Sequence, residues 1–184
     1  MKMLYTIGCR KDIIILIDDS HGHDSHLMKN FIEHLTDRLS IGPNDVLVSV
    51  GTFTDHVNIL WNLDTYTNKY DLDQAISNSH FYTSHSDHVN LDAALRYLLG
   101  NSTAVGNRAN AEDVVFLVTH DGHHDDALLS QLHATYSDVF LNGGRNHLSD
   151  TEELAIASDS SHVIHWYHLN PADVYQRLAG MICS

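Results

Sequence analysis

The stretch Asp12-Ile13-Ile14-Ile15-Leu16-Ile17-Asp18-Asp19-Ser20 constrains this chain more than any other. Five consecutive aliphatic residues without polar alternation suit a strand buried on both faces, as in the middle of a parallel sheet. The run stops on two acids and a hydroxyl, and His21, His23 and His26 follow within six residues. In open α/β sheets, ligands bind just beyond the carboxyl ends of the strands. Asp18 and Ser20 offer hard oxygen donors there and the histidines offer imidazoles. The stretch therefore predicts a metal site at the top of the first strand.

A second buried run, over 114–119, ends in the same way, on His120-Asp121-Gly122. Between and after these two runs, apolar spacing predicts helices over 25–39, 72–76, 91–99, 127–135, 151–157 and 171–182. β-Branched stretches predict strands over 46–50, 138–141 and 163–166, and an antiparallel neighbour over 57–61. Residues 100–112 read as a polar loop. Strands alternating with helices along the whole length predict an α/β fold: a doubly wound, Rossmann-like, mostly parallel sheet with one antiparallel strand, flanked by helices. No internal repeat or linker interrupts it, so residues 1–184 read as a single domain.

Charge and cysteine usage narrow the function. The formal net charge is −14, against the Lys and Arg clusters that nucleic acid rewards. Protonating all sixteen histidines would bring the balance to about +2, so surface charge and metal occupancy should both depend on pH. No apolar run is long enough to span a membrane. Met1–Gly8 is too short and polar for a signal peptide, as expected of a mature or trimmed chain. The two cysteines, Cys9 and Cys183, stand one at each end. That symmetry favours a disulfide in an oxidising compartment over two free thiols. A loop this long contributes on the order of 4–5 kcal/mol in the chain-entropy model. Asn101-Ser102-Thr103 is a glycosylation sequon and points to the same secreted, extracellular setting.

Taken in order, several segments resemble a von Willebrand factor type A domain of the extracellular-matrix kind. They are Cys9, 12–20, Phe31-Ile32, Ile41-Gly42-Pro43, 48–55, 93–98, 114–119, Asp121-Gly122, 151–157 and Met181-Ile182-Cys183. The resemblance runs from Cys9 to Cys183. It implies a central sheet flanked by helices, a disulfide between the terminal cysteines and a metal-ion-dependent adhesion site on the top face. It also implies a partner in the matrix, such as collagen. The chain departs from the family at that site. The first loop of the family is Asp-x-Ser-x-Ser, and here it is Asp18-x-Ser20-x-Gly22. The second loop has Val89 where the family has threonine, with Asp87 and His88 beside it. The third retains its aspartate as Asp121. Two of the five usual ligand positions are lost, which disfavours the near-ideal octahedral oxygen shell of Mg²⁺.

Histidine stands in their place. Nine of the sixteen fall in these three loops: His21, His23 and His26; His80, His85 and His88; His120, His123 and His124. Imidazole suits zinc or copper more than magnesium or calcium. The expected donors are thus Asp18, Ser20, Asp87 and Asp121 with His21, His23, His88, His120, His123 and His124. His34, His56, His133 and His147 read as solvated surface residues, and His165 as a packed or hydrogen-bonded strand residue. The leading expectation is a non-enzymatic extracellular adhesion or matrix module. It would bind a matrix protein, or associate with itself through histidine–metal links. The alternative is a histidine-rich metal-binding or storage protein on the same scaffold. A zinc enzyme comes last, because neither a His-Glu-x-x-His helix nor a Gly-x-Ser-x-Gly elbow is present.

Overall fold

The computed structural model describes residues 6–19, 25–81, 89–100, 106–143, 148–165 and 171–184. Five strands form one sheet in the order β3-β2-β1-β4-β5. They are β1 (Lys11–Asp18), β2 (Leu47–Phe53), β3 (Val57–Trp61), β4 (Glu112–Val118) and β5 (Asp138–Asn142). Only the β2–β3 pair is antiparallel. Six helices flank the sheet: α1 (Ser25–Thr36), α2 (Lys69–Asn78), α3 (Leu91–Gly100), α4 (Asp126–Thr135), α5 (Asp150–Ile156) and α6 (Pro171–Ile182). The expected α/β architecture is the one observed.

β1 is central, and every residue from Lys11 to Asp18 is buried. Its side chains alternate between two cores, as the pleat requires. Ile13, Ile15 and Ile17 pack with Met28, Phe31 and Leu35 of α1, Leu72 and Ile76 of α2, and Leu178 and Ile182 of α6. Ile14 and Leu16 pack on the opposite face with Leu91, Leu95 and Leu98 of α3, Leu129 and Leu132 of α4, and Ile156 of α5. Fully burying each such side chain is worth roughly 1.5–3 kcal/mol. The apolar run thus serves both layers at once, which explains why it tolerates no polar alternation. From β1 the chain first builds outward to β2 and β3, then returns to build β4 and β5 on the other side. The junction of β1 and β4 is therefore the switch point of the sheet, where an α/β fold opens a crevice.

One expectation needed correction. The strand predicted over 163–166 is, among the described residues, a single parallel bridge between Leu141 and Val163. His162 holds that segment to the edge of β5. Its carbonyl accepts from Leu141 N–H at 3.0 Å, and its ring lies between Asp159 (2.9 Å from Nδ1) and Asp138 (3.3 Å from Nε2). The segment read as a polar loop over 100–112 is irregular at 106–111, as expected, and it carries a structural anchor. Arg108 donates its backbone N–H and its Nε–H to the two oxygens of fully buried Asp12, both at 2.8 Å. Its Nη groups donate to the carbonyls of Lys11, Pro43 and Asp45 at 2.7–2.9 Å. The planar fork fills four acceptors on two segments, the start of β1 and the turn at 43–45, which a lysine could not do.

At the same end of the sheet, Cys9 and Cys183 are joined by a disulfide with their Cα atoms 5.4 Å apart. No helix of the described residues is long and apolar enough to cross a membrane. Removing one partner of a buried ion pair leaves the other charge uncompensated, at a cost of about 3–5 kcal/mol. Arg108→Met should lower the unfolding free energy by about 3 kcal/mol in urea. Adding Asp12→Asn should recover part of that loss; a strictly additive double variant would contradict the pairing.

Candidate metal centre

The register of β1 and β4 brings the first and third loops together. Ile17 pairs with Val118, so Asp18 and Thr119 leave the sheet side by side. The Asp18 carboxylate is fully buried, and its Oδ2 collects three donors. These are His120 Nδ1–H at 2.6 Å, His120 backbone N–H at 3.3 Å and the Thr119 hydroxyl at 3.4 Å. A carboxylate removed from water needs a cation or several hydrogen bonds to stay ionised, and here a histidine supplies both. The hydrogen bond to Asp18 holds the His120 imidazole above its ordinary pKa. Burial opposes this, and the charges of Asp18 and Asp121 add to it.

The second carboxylate is built in the same manner. Asp121 donates its N–H to Thr119 Oγ1 at 3.1 Å, which folds the loop back on the end of β4. Its Oδ1 accepts from His123 twice, from the backbone N–H at 3.0 Å and from Nδ1 at 2.6 Å. That hydrogen bond and the Asp121 charge raise the pKa of His123, whose side chain is 95% exposed. His124 Nδ1 lies 2.5 Å from the Gly122 carbonyl, which only accepts, so Nδ1 carries the proton. All three imidazoles of the loop therefore spend Nδ1 on an oxygen of the chain. Metal-binding histidines are held in this way, with Nε2 as the ligating nitrogen once the ring is neutral.

Gly122 is needed for the loop to sit where it does. A Cβ there would lie 2.8 Å from Glu152 Oε1 and 2.9 Å from Leu148 Cδ2. Glu152 is itself fixed by a capping box with Ser149 at the start of α5. The second loop reaches the same crevice. Val89, Asn90 and Asp92 share an open cleft of about 430 Å³ with Asp121, His123, His124 and Asp125. Asp92 Oδ1 accepts the Asp125 N–H at 2.8 Å and so ties the start of α3 to the start of α4. Residue-by-residue reading passed over Asp92; the only sign of it is its place in the first turn of α3.

The structure brings together Asp18, His120, Asp121, His123 and His124. Ser20, His21, His23, Asp87, His88 and Asn101 lie outside the described residues, as do His85, His147 and His168. His80, grouped with the second loop on sequence, lines a different cleft beside Trp61 and α2. His133 and His34, read as merely solvated, make specific contacts. His133 Nε2 bonds the Ala155 carbonyl at 3.0 Å, and the His34 ring lies 5.3 Å from that of Tyr175. His165 is 3.4 Å from Glu153. Among the described residues, no three His, Cys, Asp or Glu side chains converge as a complete metal-binding set. The donors present do match a divalent transition ion in kind: two carboxylates, one of them fully buried, and imidazoles with fixed tautomers.

His120 gives the apo protein a pH signature. Its folded pKa is raised above the ordinary value of 6.5. The stability it contributes is fully present below pH 6.5 and is lost as pH rises through the folded value. In chelator-stripped protein, His120→Gln should cost about 1–2 kcal/mol at pH 6. The cost should shrink toward pH 9, as read by urea unfolding. A cost that grows with pH would contradict the pairing.

The comparisons agree with this fold. The family model of the von Willebrand factor type A domain matches residues 12–170. Integrin alpha-2 of Bos taurus is 28% identical over 121 residues, 64% of this chain and 10% of that protein. The collagen alpha-1(XII) chain of Notophthalmus viridescens is 26% identical over 174 residues, 91% of this chain and 18% of that one. The chain thus spans less than a fifth of the length of either relative. Among solved structures, proximal thread matrix protein 1 from the mussel byssus, with a zinc-occupied MIDAS motif, superposes with a TM-score of 0.76. The identity is 20%, covering 97% of this chain and 48% of that one. With the buried apolar β1, the switch-point carboxylates and the terminal disulfide in place, the chain belongs to the von Willebrand factor type A family.

Proposed function

We propose that this chain is an extracellular adhesion or matrix module, acting as a single domain without catalysis, that binds a matrix protein such as collagen through a divalent metal on its top face. The observation that carries the reading is the pairing of each switch-point carboxylate with an imidazole, Asp18 with His120 and Asp121 with His123. The metal would be held by Asp18, Ser20 and Asp121, with Asp87 and histidines from His21, His23, His88, His120, His123 and His124 completing its surroundings. When bound, it supplies an open Lewis-acid position for a carboxylate of the partner. Zinc or copper fits this donor set better than magnesium or calcium.

The chain's own residues prepare that position. The sheet fixes the spacing of Asp18 and Asp121, and the Nδ1 bonds aim the imidazoles. The side chain of Val89, where the family has threonine, carries no donor atom. Relatives among integrins and collagens support a matrix setting, and the zinc-occupied motif of the mussel protein supports the metal.

The test is calorimetric titration of chelator-stripped protein with Zn²⁺, Cu²⁺, Mg²⁺ and Ca²⁺ at pH 7.5 and 5.5, alongside a solid-phase collagen-binding assay. We expect Zn²⁺ or Cu²⁺ to bind with low stoichiometry. Affinity should fall at least about tenfold in Asp121→Ala and at pH 5.5, because imidazole must be neutral to ligate. Collagen capture should follow metal occupancy. Many equivalent ions indifferent to Asp121 would instead indicate storage, and Mg²⁺ binding indifferent to the histidines would overturn the transition-metal reading.

A further inference from the structure

A cleft of about 560 Å³ opens at the antiparallel edge of the sheet, between β3 and α2. It shares no lining residue with the top-face crevice. α2 has two working faces. Leu72 and Ile76 enter the core. The adjoining stripe Asp71, Gln74, Ala75 and Asn78, at helical spacing i, i+3, i+4 and i+7, turns to the cleft instead. Ala75 in the middle of that stripe leaves room between the two strips of polar side chain. The opposite wall is Leu60, Trp61 and Tyr66. Trp61 is a fixed floor: it is buried, its Nε1 donates to the Val48 carbonyl at 3.1 Å, and Tyr66 meets it edge-on at 5.9 Å.

The polar wall is the solvent side of an amphipathic helix. Gln74 and Asn78 are exposed, and among the described residues their side chains make no hydrogen bond. Each amide offers a carbonyl acceptor and two N–H donors. The lining therefore selects the chemistry of its ligand. Among the described lining residues there is no Lys or Arg while Asp71 is present, on a chain of net charge −14, which disfavours phosphates and other anions. Among the described residues the lining holds one imidazole, His80, and one carboxylate, too few to hold a metal. An apolar ligand would leave the amides facing hydrocarbon. A neutral, hydroxyl-rich molecule with one apolar C–H face fits this lining of amides beside an aromatic wall. The volume falls within the roughly 300–1,000 Å³ of small-ligand sites.

We propose that this cleft binds a neutral saccharide, with Gln74 and Asn78 reading its hydroxyls and Tyr66 covering its C–H face. The site is independent of the metal centre and would give the module a second matrix contact on a different face. The test is a ¹⁵N-HSQC titration of the whole chain with maltotriose, cellotriose, mannotriose and chitotriose, each to about 10 mM, in the range of weak single-site binding. At least one should move the backbone signals of 60–66 and 71–80 and the side-chain NH₂ signals of Gln74 and Asn78. The Gln74→Ala/Asn78→Ala variant should weaken binding by roughly tenfold or more, since each amide contributes hydrogen bonds worth up to that factor. Both side chains are exposed, so its spectrum elsewhere should match the parent's and report an intact fold. Asp121→Ala should bind sugar as the parent does, which separates this site from the metal reading. The proposal is overturned if no sugar moves these signals, if the moved signals map to another face, or if binding survives the double substitution.

Discussion

The buried carboxylate of Asp18 is the constraint on which the functional end of this molecule depends. It stands at the tip of a strand whose every residue is shut away from solvent, so it has no water to ionise into. Something must carry a compensating positive charge or a set of donors to that point. The sheet ensures that the something comes from β4, because β1 and β4 are parallel neighbours in register at their carboxyl ends. His120 meets the need within the chain, at 2.6 Å. A divalent cation would meet it from outside. On the proposed reading, a proton-bearing imidazole and a metal would serve the same electrostatic demand there, which would link metal supply and acidity to the state of one site.

The opposite end of the sheet solves the same problem permanently. Asp12, also fully buried on β1, receives an arginine that never deprotonates and that is bound at the same time to three backbone carbonyls. The disulfide between Cys9 and Cys183 closes that end. One central strand therefore carries two buried aspartates of opposite character. The one at its start is locked by guanidinium, and the one at its end is answered by a titratable ring. The difference in partner, and not in burial, makes one end scaffold and the other a candidate site.

Much of this was legible in the sequence for a physical reason. A strand buried on both faces announces itself by composition alone, and the two apolar runs that precede acids are the neighbours β1 and β4. Asp18, Asp121 and the histidines of the third loop were legible as candidates because they follow directly on those runs, at the carboxyl ends where α/β sheets bind ligands. Arg108 was not found, since an arginine in a polar loop has no periodicity and its partners lie 63 to 97 residues away. The last expected strand is, among the described residues, a bridge: Leu141 exchanges backbone hydrogen bonds with His162 and Ile164, and the His162 ring adds contacts with Asp138 and Asp159 that apolar spacing cannot report. His80, grouped with the second loop by its nearness in sequence, lines the cleft beside Trp61 and α2 instead of the top-face crevice.

The most direct test of the account is anomalous diffraction at the zinc edge from crystals grown from chelator-stripped protein resupplied with one equivalent of Zn²⁺. The account predicts a single strong peak above the ends of β1 and β4. Asp18 and Asp121 should lie in or next to its coordination shell, with at least one imidazole Nε2 bound. A peak only at surface histidines away from these strands, or none while His120 stays on Asp18, would contradict it.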